Sequence, residues 1–242
     1  MKILAVLFPG FTAIDLVGPV NAWGLMPGVE FQTAWKVVGP VQTDVGLQVV
    51  ATHSFADCWH APDVLFVPGG GRGTFAALQD DELLDAIAAI GVRAGWVTSV
   101  CTGALLLGAA GLLKGYRSAC YWYARHHLEK FAAIPDEARY VIDRNRASGG
   151  GMTAVIDFAL HMIGVWNGAE NRRLTELLME YAPQPPFGVR RPDLGITARD
   201  RLSFTVGANA NVDGGGDAGA VSGIGGLGVV WLVSGVDLAG AE

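Results

Sequence analysis

Three nearly uninterrupted apolar runs, each ended by a turn of small residues, constrain this chain more than any other feature. They are residues 2–8, ended by Pro9-Gly10; residues 63–67, ended by Pro68-Gly69-Gly70-Gly71; and residues 96–100, ended by Cys101-Thr102-Gly103. A strand that is apolar on consecutive positions has no face left for water, so both its faces must be covered. Helical segments alternate with these runs. Residues 80–90 repeat apolar side chains at Leu83, Leu84, Ile87, Ala88 and Ile90 behind acids in the first turn, the pattern of an amphipathic helix. Further helices are expected at 15–23, 102–110, 152–165 and 169–180, and strands at 31–38 and 139–142. Gly39-Pro40 is read as the stop of the strand at 31–38. The expected fold class is α/β, with a mostly parallel sheet and helices on both faces. In such sheets ligands bind beyond the carboxyl ends of the strands.

Composition narrows the function classes. The 242 residues carry 17 Lys+Arg against 23 Asp+Glu, a net charge of −6, so no nucleic-acid partner is expected, because little here would neutralise phosphates. The chain is 51% hydrophobic and 17% charged, enough apolar material for a core. The 34 glycines are about twice ordinary usage. The last 38 residues alone hold 11 glycines and four acids, with no Lys or Arg. The expected boundary therefore lies at 204, with 1–204 as the domain and 205–242 as a glycine-rich, acidic, poorly structured tail. The uncharged stretches at 94–113 and 218–236 are broken by glycines and hydroxyl residues, so no membrane span is expected. Three widely spaced cysteines, Cys58, Cys101 and Cys120, form neither a disulfide framework nor a metal pattern. A reducing, cytoplasmic location is the plain reading, and no leader is expected before the first strand.

The strand ends carry the candidate chemistry. Cys101 stands between a buried strand and a helix, with glycine two positions later. A sharp turn there exposes the side chain, the logic of a nucleophile elbow. The helix start is expected to lower the thiol pKa; the alternative is an inert buried thiol. Gly69-Gly70-Gly71 follows another buried strand, and its backbone N–H groups could face a ligand oxygen or form a plain turn. Asp15, the only acid before Glu30, reads as a helix cap or as a desolvated carboxyl suited to proton transfer. His126-His127 read as a solvated face, and His53, His60 and His161 are scattered. No metal site is expected.

These strand ends carry a resemblance. Phe8-Pro-Gly-Phe-Thr-Ala-Ile-Asp15, Asp63-Val-Leu-Phe-Val-Pro-Gly-Gly-Gly71 and Thr98-Ser-Val-Cys-Thr-Gly103 resemble the ThiJ/PfpI superfamily. Gly108-Ala-Ala-Gly-Leu-Leu113, Gly149-Gly-Gly-Met-Thr-Ala154 and Glu180-Tyr-Ala-Pro-Gln-Pro-Pro-Phe187 add to it. The similarity covers about residues 2–187 and is strongest to the branch that hydrates isonitriles, which has Asp at the Asp15 position and Thr after the cysteine. The resemblance implies a flavodoxin-like sandwich of the class I glutamine amidotransferase-like kind, usually a homodimer, with no cofactor. It implies Cys101 as nucleophile, forming a covalent thioimidate with a small isonitrile. Asp15, with the Thr102 hydroxyl, would protonate the nitrogen and activate water, and the Gly70 and Thr102 N–H groups would hold the developing oxygen. Gly69, Gly150 and Met152 would be pocket neighbours. Many relatives carry Thr-Thr-His-Trp where this chain has Ala119-Cys120-Tyr121-Trp122, and the residues after Phe187 depart from the family ending. The competing expectations are an effector-binding domain of AraC-type regulators, a glyoxalase-like or peptidase-like enzyme, and a cysteine redox sensor.

Overall fold

The structure is a computed structural model that describes residues 1–186; residues Met1–Ala182 form one compact unit. The expected tail at 205–242 lies outside the described residues. The elements run β1 Lys2–Val6, α1 Ala13–Gly24, β2 Glu30–Trp35, β3 Gly39–Gln42, β4 Gln48–Ala51, β5 His53–Ser54, β6 Val64–Val67, α2 Gly71–Ala77, α3 Asp81–Gly91 and β7 Trp96–Val100. They continue with α4 Gly103–Ala109, β8 Arg117–Ser118, a 3₁₀ segment at Arg125–Phe131, β9 Ile134–Pro135, β10 Tyr140–Asp143, β11 Arg146–Gly149 and α5 Ala154–Leu178.

Seven strands form the central sheet in the order β10-β11-β7-β6-β1-β2-β5. Every neighbouring pair is parallel except β10 with β11. The apolar runs are its middle: all four residues of β6 are buried, as are four of the five in β1 and in β7. The chain leaves β1 toward β2 on one side and β6 toward β7 on the other. With right-handed crossovers, α1 and α3 then cover opposite faces, and the order reverses between β1 and β6, the switch point at whose carboxyl ends such sheets bind ligands.

Packing fixes the layers. On one face α1 lies on α5: Trp23 is fully buried, edge-on to Phe66 of β6 with centroids 5.1 Å apart and to Phe158 of α5 at 6.2 Å. Its indole N–H donates to the Ala159 carbonyl at 3.2 Å, which meets the requirement that a buried donor find a partner. Helix α3 starts where its acids predict. Asp80 is the N-cap and accepts from the Leu83 N–H at 3.2 Å, and Leu83, Ile87 and Ile90 face inward. The two helices expected at 152–165 and 169–180 form α5, broken at Gly168 (φ 86°).

The short strands β5, β8 and β9 and the sheet strand β11 carry no apolar run and are not expected from the sequence, and two further differences lie near the candidate site. The strand expected at 31–38 stops at Trp35, and β3 with β4 make an antiparallel hairpin across Gly39-Pro40. Proline is tolerated there because at Pro40 the strand β3 pairs with β4 alone, so its other edge needs no N–H from that residue. A short helix, α2, begins at Gly71, where the glycine run reads as a stop. Among the described residues no helix is long and apolar enough to cross a membrane.

Candidate active site

Four strand ends converge. The segment after β1 delivers Asp15, the end of β6 delivers Gly69 and Gly70, β7 delivers Cys101 and Thr102, and β11 delivers Gly149 and Gly150. Cys101 has φ 54°, left-handed backbone that a side chain rarely adopts. Such strain persists only where the surroundings enforce it. Here the Cys101 N–H is shared between the Gly149 and Gly150 carbonyls, both at 3.0 Å, and its carbonyl accepts from the Tyr121 N–H at 3.2 Å. The following helix packs tightly: a Cβ on Gly103 would lie 2.3 Å from the Val67 carbonyl oxygen, so only glycine fits.

Asp15 is the third residue of α1, whose N-cap is Thr12. Its carboxyl is fully buried and neither oxygen has a well-formed hydrogen bond, so it does not cap the helix. It faces the Cys101 thiol and the Gly69 N–H. Gly69 is the spacer: a Cβ there would lie 2.6 Å from the Thr102 nitrogen, 2.7 Å from Cys101 Cβ and 2.9 Å from Asp15 Oδ2. Three functional groups thus close around a position that must lack a side chain.

Charge is expensive in this setting. Burial, with a smaller contribution from the Asp44 carboxylate, pushes the Asp15 carboxyl from its ordinary 3.8 up to about 7, while the Cys101 thiol and Gly69 N–H pull it the other way. Burial also pushes the Cys101 thiol well up, with Asp15 and Cys120 adding to it and the Thr102 N–H opposing it. This corrects the expectation of a thiol lowered by a helix start. The Thr102 N–H at the helix cap does act in that direction, but desolvation of a cysteine only 5% exposed outweighs it.

The other expected residues fall in distinct places. The Gly70 N–H, expected to face a ligand, donates to Thr102 Oγ1 at 3.0 Å. That hydroxyl also pairs with Thr74 Oγ1 at 2.8 Å. The Thr102 side chain is therefore engaged with α2 in the free protein, while its backbone N–H faces the cysteine. Gly150 donates to the Arg139 carbonyl at 2.9 Å. Met152, expected as a pocket neighbour, is 49% exposed with φ 36°. Cys120 is buried beside Cys101 and burial pushes its thiol up to about 12. Cys58 lies after β5 with its thiol on the Phe55 carbonyl at 3.6 Å.

Sequence reading missed Thr74 and gave no role to Thr12 or Tyr121. Thr74 sits on the unexpected α2. Tyr121 is more than a departure from the family histidine: its ring edge packs against Gly151, where a Cβ would come within 2.3 Å of Cδ2. His127 is half-buried against Phe75 rather than on a solvated face, and His161 stacks on Tyr140. Among the described residues no cluster of His, Cys and acids could hold a metal ion. A cavity of about 140 Å³ between Arg139, Asp157, Arg172 and Tyr181 contains neither Cys101 nor Asp15.

Comparison with known proteins gives the family. The DJ-1/PfpI family model matches residues 1–164. The chain is 41% identical over 198 residues to isonitrile hydratase of Pseudomonas putida, covering 82% of this chain and 86% of that protein. It is 44% identical to a ThiJ/PfpI family protein of Pseudomonas syringae whose crystal structure superposes with a TM-score of 0.77, covering 78% of each chain. It is 33% identical over 174 residues to an HTH-type transcriptional regulator of Pseudomonas aeruginosa, covering 68% of this chain but 46% of the regulator. The chain belongs to the DJ-1/PfpI family.

Proposed function

We propose that the protein hydrates an isonitrile to an N-substituted formamide, with Cys101 as nucleophile in an elbow and Asp15 as the group that moves protons. The observation that carries the reading is the juxtaposition of the Asp15 carboxyl with the Cys101 thiol across Gly69. The similarity to isonitrile hydratase supplies the substrate class.

Hydration places one new hydrogen on the isonitrile carbon and one on its nitrogen. A single buried carboxyl that alternates between acid and base can serve both. In the first step Cys101 sulfur bonds to the terminal carbon, and the one proton held by the Asp15–Cys101 pair goes to that carbon, leaving a thioimidate and an Asp15 carboxylate. In the second step Asp15 takes a proton from water as the oxygen bonds to the carbon, and passes it to nitrogen. In the third step the hydroxyl proton returns to Asp15 as the C–O double bond forms, the C–S bond breaks and the formamide leaves. The pair ends with its original single proton. The Thr102 N–H, which faces Cys101, is the donor best placed for charge that develops on sulfur or oxygen. The Thr102 hydroxyl holds Gly70 in place rather than transferring a proton.

The reading requires no metal or organic cofactor. The protein is proposed to act on a small molecule as a cytoplasmic homodimer; light scattering tests the assembly. Incubation with cyclohexyl or aryl isonitriles tests the activity: the formamide forms with wild type and not with Cys101→Ala. Absence of formamide with every isonitrile offered would overturn it.

A further inference from the structure

The Asp15 carboxyl has no strong hydrogen bond of its own, so its position is set by where α1 begins. That start is held by Thr12. Its N–H donates to the Gly69 carbonyl at 2.8 Å and its carbonyl accepts from the Asp15 N–H at 3.0 Å. Threonine at an N-cap ordinarily turns its hydroxyl back to accept from the second or third helical N–H. Here it makes no such bond. Thr12 is buried, and its hydroxyl donates instead to Asp44 Oδ2 at 2.7 Å, in the turn of the β3–β4 hairpin. The hairpin is bound to the same segment by backbone: Gly10 N–H to the Gln42 carbonyl at 2.8 Å, Asp44 N–H to the Phe11 carbonyl at 2.9 Å, and a parallel bridge between Phe11 and Thr43.

We propose that Asp44 is a positioning residue for Asp15, acting through Thr12. The proposal rests on the role given to Asp15 above. One side of Thr12 fixes the glycine turn, the other fixes the helix that carries Asp15, and Asp44 locks the side chain between them. Charge-assisted bonds such as Thr12 to Asp44 are stronger than neutral ones. Asp44 also acts by charge. The titratable groups that face Asp15 are Cys101 and Asp44, and a second carboxylate nearby disfavours ionisation of the first.

The test uses Thr12→Val, Thr12→Ser, Asp44→Ala and Asp44→Asn in the full chain, with circular dichroism to establish folding. Thr12→Val and Asp44→Ala should lower kcat for isonitrile about tenfold with KM within about twofold, because a misplacement near 1 Å costs up to about 10²-fold. Thr12→Ser should restore most of that loss. The second readout needs no isonitrile: the rate of Cys101 alkylation by iodoacetamide against pH. Asp44→Asn keeps an acceptor oxygen and removes the charge, so the rising limb of that profile should move to lower pH, which a merely structural bond would not cause. If wild type turns over no isonitrile, the proposed reaction fails while the alkylation profiles still judge the brace. Coincident profiles for wild type and Asp44→Asn, or equal loss in Thr12→Ser and Thr12→Val, would overturn it.

Discussion

Asp15 and Cys101 follow strands β1 and β7, which are separated in the sheet by β6, and meet because Gly69, two residues past the end of that intervening strand, has no side chain. Both are buried; Asp15 raises the cost of ionising Cys101, while the Cys101 thiol eases the first ionisation at Asp15. Two acids that cannot both ionise share one proton, and their titration belongs to the pair. That shared proton is what the proposed hydration needs.

The spacer predicts its own mutant. Gly69→Ala places a methyl group within 2.6–2.9 Å of three site atoms, two of them on backbone or Cβ. The variant should lose about 1–3 kcal/mol of stability by overpacking and about 10²-fold or more in kcat by separating Asp15 from Cys101. Urea denaturation and steady-state kinetics on the same preparation check both.

The pH dependence follows from the proton count. Below the Asp15 transition the pair holds two protons and has no base, so kcat/KM should rise with pH through about 7. It should fall again only where the pair loses its second proton, which burial places above the ordinary thiol range. A profile flat from pH 5 to 9 would exclude this pair as the proton carrier.

Asp15 should cost stability while supplying activity. Its pKa is raised on folding from 3.8 to about 7, so between those values the native state binds more protons than the unfolded state. Stability therefore falls as pH rises through this window and levels off above it. Asp15→Asn removes the buried charge and should be more stable than wild type at pH 8, by up to about 4 kcal/mol, with the advantage vanishing near pH 4. The same change should lower turnover about 10²–10⁴-fold. Thermal melts at pH 4 and pH 8 distinguish this from a helix cap, for which Asn would match Asp at both.

The three cysteines should separate cleanly. Cys58 lies away from the site, with its thiol on the Phe55 carbonyl, and Cys58→Ala should leave turnover intact. Cys120 adjoins the site but has no place in the proton path, so Cys120→Thr should retain turnover. Cys101→Ala should abolish it. Mass spectrometry of isonitrile-treated variants checks each assignment.

Much of this was legible in the sequence, for physical reasons. Buried parallel strands write themselves as apolar runs, so β1, β6 and β7 and the residues at their ends could be placed without coordinates. Asp15, Gly69, Cys101 and the glycine after it followed from that placement and from the resemblance. The β3–β4 hairpin was hidden because Gly39-Pro40 is a breaker in a central strand but not in one that pairs along a single edge. Helix α2 was hidden behind its glycines, and Thr74 with it. The thiol pKa was misjudged because a helix start is visible in sequence and desolvation is not. Thr12 and Asp44 are 32 residues apart, and only the folded chain shows that they touch.

The most direct measurement is intact-mass analysis of the protein quenched during turnover of cyclohexyl isonitrile. The account predicts an adduct equal to one isonitrile on Cys101, seen with wild type and accumulating in Asp15→Asn if water activation slows more than adduct formation, together with formamide release by wild type. Formamide release by Cys101→Ala, or wild-type turnover in Asp15→Asn, would contradict it.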